Sequence, residues 1–173
     1  MGVTFEKVRE TDRVDFELIT KWDNDEAIKY LIRPNFYEGE IEEASALELF
    51  ENFQKSDGKY LYMILLDGEK VGYVSLDSKF PMLYQKQHQT GWISICIGEA
   101  DYRHLGVGQA AMLFIEQLGK ALRLERLELG VFEYNEKAIA FYDKMGYQEI
   151  GRIDDFVYYQ GAWHKDIRME KWL

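Results

Sequence analysis

The chain is poor in the residues that staple or break structure. Its 173 residues include one cysteine, Cys96, and two prolines. A single thiol excludes an internal disulfide and a cysteine-built zinc cage. It fits a reducing compartment, so a cytoplasmic location is expected. The three histidines, His88, His104 and His164, show no paired ligand spacing, and no metal is expected. Fourteen glycines without a period, together with two prolines, exclude collagen-like and low-complexity classes. No apolar run approaches a membrane span; the longest covers residues 60–66. The opening MGVTFEKVRE has no apolar h-region, so neither a signal peptide nor a membrane partner is expected. Basic residues are scarce too: 21 Lys and Arg face 31 Asp and Glu, for a net charge of −10. A general nucleic-acid surface needs clustered cations, so no nucleic-acid partner is expected. The acidic excess favours cationic partners, weakly and at long range.

What is present is core-forming. The chain is 47% hydrophobic and 15% aromatic, which excludes intrinsic disorder, and its length fits one domain over residues 1–173. Residues 3–8 alternate as a strand. Thr11 or Asp12 can cap a helix with Val14, Leu18 and Trp22 on one face. A second short helix ends before Pro34. Residues 41–55 carry Ala46, Leu47, Phe50 and Phe53 at helical spacing. Strands over 60–66 and 70–76 join through Asp67-Gly68, a hairpin turn. Residues 91–97 and 127–132 are further strands. The helix between them carries Val107, Ala110, Ala111, Phe114, Ile115, Leu118 and Leu122 at helical spacing. The next helix opens at Asn135, a good N-cap, and stops at Gly146. The tail folds as strands around Gln160-Gly161. Strands and helices alternating late in the chain predict a mixed α/β domain with a partly parallel sheet.

The stretch that carries chemistry is Arg103-His104-Leu105-Gly106-Val107-Gly108-Gln109. It lies between a strand and an amphipathic helix. Glycines permit a tight turn and close backbone approach, and the free N–H groups of a helix start form an anion site suited to a diphosphate. Gly106-Val107-Gly108-Gln109-Ala110-Ala111 satisfies the dinucleotide fingerprint G-x-G-x-x-G/A. The context differs, because residues 98–105 separate strand from glycine and only one more helix follows.

The same residues satisfy Arg/Gln-x-x-Gly-x-Gly/Ala through Arg103, Gly106 and Gly108. This resembles the acyl-CoA signature of the GNAT N-acetyltransferase superfamily. Asn135-x-x-Ala138-x-x-Phe141-Tyr142-x-Lys144-x-Gly146-Tyr147 resembles that family's second block. Trp22-x-Asn24-Asp25 and Gly161…Asp166-Ile167-x-Met169 resemble the branch that contains spermidine and ribosomal-protein N-acetyltransferases. The resemblance implies a GNAT-type acyl-CoA N-acyltransferase fold, a central mixed sheet flanked by helices, and acetyl-CoA as co-substrate. It implies that the diphosphate is held at Arg103, His104, Leu105, Gly106, Val107, Gly108 and Gln109, with Asn135 and Ala138 beside the cofactor. It implies that the pantetheine arm pairs with the strand edge at Ile95–Ile97, where a backbone N–H stabilises the thioester oxyanion. Tyr142 matches the family's tyrosine acid, which protonates the leaving thiolate.

The base is unassigned. Relatives carry a Glu on the strand before the signature, where this chain has Trp92, Ser94 and Cys96; Glu99 and Asp77 are substitutes. Cys96, flanked by Ile95 and Ile97, reads as a small buried residue. Phe36 and Tyr37, beside Glu38, Glu40, Glu42 and Glu43, suggest an acidic, aromatic-lined acceptor cleft. That would suit a polyamine or another small cationic amine. The alternatives are a peptide or protein N-terminus as acceptor, or a catalytically silent acyl-CoA-binding module. Tail strands exposed at an edge could pair two copies into a homodimer.

Overall fold

In the computed structural model, which describes residues 2–173, Asp12 accepts a hydrogen bond from the Val14 amide and starts the first helix. The elements are β1 (Val3–Lys7), α1 (Arg13–Asp23), α2 (Lys29–Ile32), α3 (Ala46–Lys55), β2 (Lys59–Leu66), β3 (Glu69–Asp77) and β4 (Thr90–Ile97). A 3₁₀ turn (Ala100–Tyr102) follows, then α4 (Val107–Ala121), β5 (Arg126–Phe132), α5 (Glu136–Lys144), β6 (Gln148–Tyr159) and β7 (Ala162–Trp172).

Two expectations need correction. Val14 does not share the inner face of α1; it is 69% exposed, while Phe16, Ile19 and Trp22 are buried. The 3.6-residue period admits both stripes, and the one with the aromatic rings wins on buried area. Residues 41–45 are not helical either. Ser45 caps α3 by accepting from the Glu48 amide, so the helix starts at Ala46 and leaves Leu47 54% exposed.

The seven strands form one mixed sheet in the order β1-β2-β3-β4-β5-β7-β6. All pairs are antiparallel except β4 with β5. Asp67 and Gly68, both at positive φ, make the two-residue turn between β2 and β3, and Gln160 and Gly161 do the same between β6 and β7. Val107, Ala111, Met112 and Ile115 of α4 pack on one face of the sheet with Ile93, Leu127, Leu129 and Ile167. Phe16, Ile19 and Trp22 of α1 and Phe50 and Phe53 of α3 pack on the other, with Met63 and Cys96.

Strand alternation sets the facing of the central strands. With Ile93, Leu127, Leu129, Ile167 and Met169 turned to α4, their neighbours Trp92, Arg126, Glu128, Gly130, Asp166, Arg168 and Glu170 face the opposite side. There the charged residues form a buried network. Arg126 donates to Glu128 at 2.6 Å and to Glu170 at 2.6 Å; Arg168 donates to Asp166 at 2.7 Å and to Glu128 at 3.2 Å. The same residues fasten the β3–β4 connection. The Tyr84 and Gln85 amides donate to Glu128, and the Met82 and Gln85 carbonyls accept from Arg168 and Arg126.

Candidate active site

The ladder between β4 and β5 is short. Only Thr90, Gly91 and Trp92 pair, with Arg126, Leu127 and Glu128. Both strands run on, β4 held by β3 and β5 by β7, but they are not paired to each other beyond Trp92 and Glu128. The separation leaves one edge of β4, from Ile93 to Ile97, without a strand partner. A cavity of about 370 Å³ occupies the gap.

Its lining comes from both faces of the sheet. Ile93, Ile95, Val131, Ala138 and Tyr142 belong to the α4–α5 side, with Asn135 at the start of α5. Trp92, Gly130, Asp166 and Arg168 belong to the opposite side, joined by Phe36, Phe80, Met82 and Phe156. The cavity therefore passes through the sheet.

The turn before α4 leaves a row of backbone donors unengaged. His104 (φ 68) and Gly106 (φ 81) both adopt left-handed backbone, and the α4 N-cap, Gly106, offers no side-chain acceptor. The first helical bond runs from the Ala110 amide to the Gly106 carbonyl. Among the described residues, the N–H groups of His104, Leu105, Gly106, Val107, Gly108 and Gln109 find no acceptor in the chain. A row of free donors at the positive end of a fifteen-residue helix suits a diphosphate. Gly108 touches the next helix: a Cβ there would stand 3.3 Å from the Phe141 ring. This donor-rich turn thus lies against the helix that carries Tyr142.

The Arg103 side chain is not part of this turn's donor set. It points back, donating to the Ile97 carbonyl at 3.1 Å and the Gly98 carbonyl at 3.0 Å. These carbonyls lie where β4 ends, and the guanidinium satisfies them.

Tyr142 lines the cavity, and its hydroxyl has no hydrogen-bond partner among the described residues. Burial pushes its phenol well above the ordinary value, with a smaller push from the Cys96 thiol. The proton therefore stays on Tyr142 at neutral pH and above. Asn135 accepts from the Ala138 amide and caps α5, which fixes the entry of that helix into the gap. Cys96 is buried, and burial pushes its thiol up too, so it is no thiolate nucleophile.

The acceptor residues suggested by the sequence scatter. Phe36 lines the cavity, but Tyr37, Glu38 and Glu40 are exposed on the segment beyond it and do not. Glu99 is outside the cavity. Its carboxylate accepts from Trp22 Nε1 at 2.8 Å and Lys21 Nζ at 2.9 Å, and these two bonds hold it below the usual carboxylate range, which makes it a poor base. Asp77 accepts from the Lys79 amide and shapes the turn after β3. Ile97 also stands outside the lining; Ile95 is inside it.

Residues 20–147 match the sequence model of the acetyltransferase (GNAT) family. The chain belongs to that family. A spermidine N(1)-acetyltransferase of Escherichia coli (strain K12) is 26% identical over 164 residues, 94% of this chain and 83% of that protein. An uncharacterized N-acetyltransferase of Lactobacillus delbrueckii subsp. lactis is 29% identical over 104 residues, and the match spans only 58% of that relative's length. Among solved structures, the spermidine N-acetyltransferase of Vibrio cholerae in complex with CoA and spermine superposes with a TM-score of 0.77 at 18% identity, covering 98% of this chain and 95% of that one. The enzyme is thus an acetyltransferase with a GNAT fold.

Sequence reasoning did not assign the polar floor of this acetyltransferase's cavity. Asp166 and Arg168 are 2% and 1% exposed, and Asp166 Oδ1 is a buried acceptor without a donor. Burial pushes the Asp166 carboxyl up, opposed by its bond with Arg168. Asp166 appeared only within a tail pattern. The available signal was charge alternating at period two, Asp166-x-Arg168-x-Glu170 opposite Arg126-x-Glu128, which marks one strand face.

Proposed function

We propose that this acetyltransferase takes acetyl groups from acetyl-CoA and transfers them to a primary amine, the two substrates meeting from opposite faces of the sheet. The observation that carries the reading is the cavity between β4 and β5, with Tyr142 on one side and Asp166 on the other. Acetyl-CoA supplies a thioester whose carbonyl carbon forms a bond to the amine nitrogen while its bond to sulfur breaks.

The chain's residues divide the remaining work. The amides of residues 104–109 bind the diphosphate. The unpartnered edge of β4 around Ile95 pairs with the amide groups of the pantetheine arm, as an added strand would, and an N–H there stabilises the developing oxyanion. Tyr142 holds a proton at its hydroxyl and gives it to the departing sulfur. The amine gives up its proton to solvent on the opposite side of the gap, and solvent returns a proton to Tyr142. The family membership and the names of the relatives support this chemistry.

The test is thiol release. With acetyl-CoA and a panel of primary amines, including polyamines and N-terminal peptides, free CoA should appear only when an accepted amine is present. Tight acetyl-CoA binding with no release for any amine would identify a silent binding module instead.

A further inference from the structure

We propose that the acceptor is a primary monoamine with an apolar, ring-sized body, its amino group held at Oδ1 of Asp166. This deepens, and rests on, the acetyl-transfer reading above.

The cavity on the acceptor side is walled by rings rather than by carboxylates. Phe80 stacks on Trp92 with centroids 4.4 Å apart, and Phe36 meets Phe156 edge-on at 5.4 Å. Met82 and Pro34 extend the apolar wall. Among the described residues, the only charged side chains in the lining are Asp166 and Arg168, and they pair with each other. The site therefore has a net charge near zero, not the acidic surplus expected from Glu38 and Glu40. The Trp92 ring is also already engaged, with Phe80 stacked on it and the Arg168 guanidinium 4.8 Å from its centre. It leaves little face for further cations. A polyamine would bring several ammonium groups into this apolar wall, and each one without a carboxylate loses its hydration uncompensated.

One amino group does have a place. Arg168 occupies Oδ2 of Asp166, but Oδ1 has no donor although the residue is almost fully buried. A buried carboxylate oxygen without a donor is costly, and a substrate N–H supplies the missing bond. Gly130 keeps the approach clear, since a Cβ there would stand 3.0 Å from Oδ1 and 2.9 Å from the Trp92 ring. Rings and a single carboxylate on one side of the gap match a molecule with one amine and one apolar group.

The test compares 2-phenylethylamine with spermidine at saturating acetyl-CoA. Phenylethylamine should have a kcat/KM at least about tenfold higher, the low end of what a buried group left unpaired costs. Asp166→Asn should raise the phenylethylamine KM, and its calorimetric Kd in the presence of CoA, about tenfold or more, while the acetyl-CoA Kd stays within about twofold. Phe80→Ala, outside the ion network, should reduce kcat/KM for phenylethylamine far more than for ethylamine, so the proposal stays testable even if Asp166→Asn fails to fold. Spermidine equal to or better than phenylethylamine overturns the proposal while the acetyl-transfer reading stands. An unchanged amine KM in folded Asp166→Asn also overturns it. No acetyl-CoA binding at all overturns both.

Discussion

A methyl group added at Gly130 would stand 2.8 Å from Oδ2 of Asp166, on the β7 strand beside it. The same methyl would meet the Trp92 ring at 2.9 Å. Neither neighbour can move freely, because Asp166 is held by Arg168 and Trp92 by its stack on Phe80. Gly130→Ala should therefore cost about 1–3 kcal/mol, the usual range for overpacking, seen as a lower urea midpoint at unchanged m. It should raise the amine KM and leave the acetyl-CoA Kd alone, since Gly130 faces away from the turn before α4.

Tyr142→Phe keeps the ring and removes the proton. The variant should lose about 10²-fold or more in kcat, the scale of general acid catalysis, with little change in acetyl-CoA affinity. The pH profile follows from the direction of its shift. Burial favours the neutral phenol, so the acid form persists above its free value of ~10. The alkaline side of the kcat profile should stay flat to about pH 10. A decline centred near neutrality would mean that a different group supplies the proton.

Gly106 sits at φ 81 with nothing within 4 Å of a built Cβ. Substitution by Ala meets no clash but must adopt left-handed backbone, at about 1–2 kcal/mol. If the turn relaxes instead, its donors lose their common aim. Gly106→Ala should weaken acetyl-CoA binding about tenfold, by the conversion of that strain into an equilibrium constant, without altering the amine KM. Calorimetry at fixed pH reads the first quantity and steady-state kinetics the second.

Glu128 is fully buried and takes hydrogen bonds from Arg126, Arg168 and the Tyr84 and Gln85 amides. Removing it leaves two buried guanidinium groups short of a partner. Glu128→Ala should cost about 3–5 kcal/mol in chemical denaturation. Glu149→Ala, which breaks the half-exposed pair with Arg152, should cost less than about 1 kcal/mol. Similar costs for the two would remove the network from its role in fastening the β3–β4 connection.

The element order was readable because punctuation and periodicity agree: Asp67-Gly68 and Gln160-Gly161 turn the chain, Asn135 starts α5 and Gly146 ends it. The tight turn before α4 was readable because Gly106, at positive φ, and Gly108 announce it directly. Val14 falls outside the core because short apolar spacing fits two faces of α1 and tertiary packing of Phe16 and Ile19 decides, whereas residues 41–45 stay outside α3 because Ser45 caps the helix at Ala46. The separation of β4 from β5 has no local signature, since it results from what each strand pairs with on its far side. Asp166 was present in a motif, but its position under the cavity depends on the β5–β7 register, which pairs it with Phe132.

Amide chemical shifts of the labelled protein during an acetyl-CoA titration test the central arrangement most directly. Saturable shifts at His104 through Gln109, accompanied by Ile95 on β4 and Asn135 at the start of α5, are the predicted result. Saturable shifts that leave those amides still and cluster elsewhere on the molecule would contradict it.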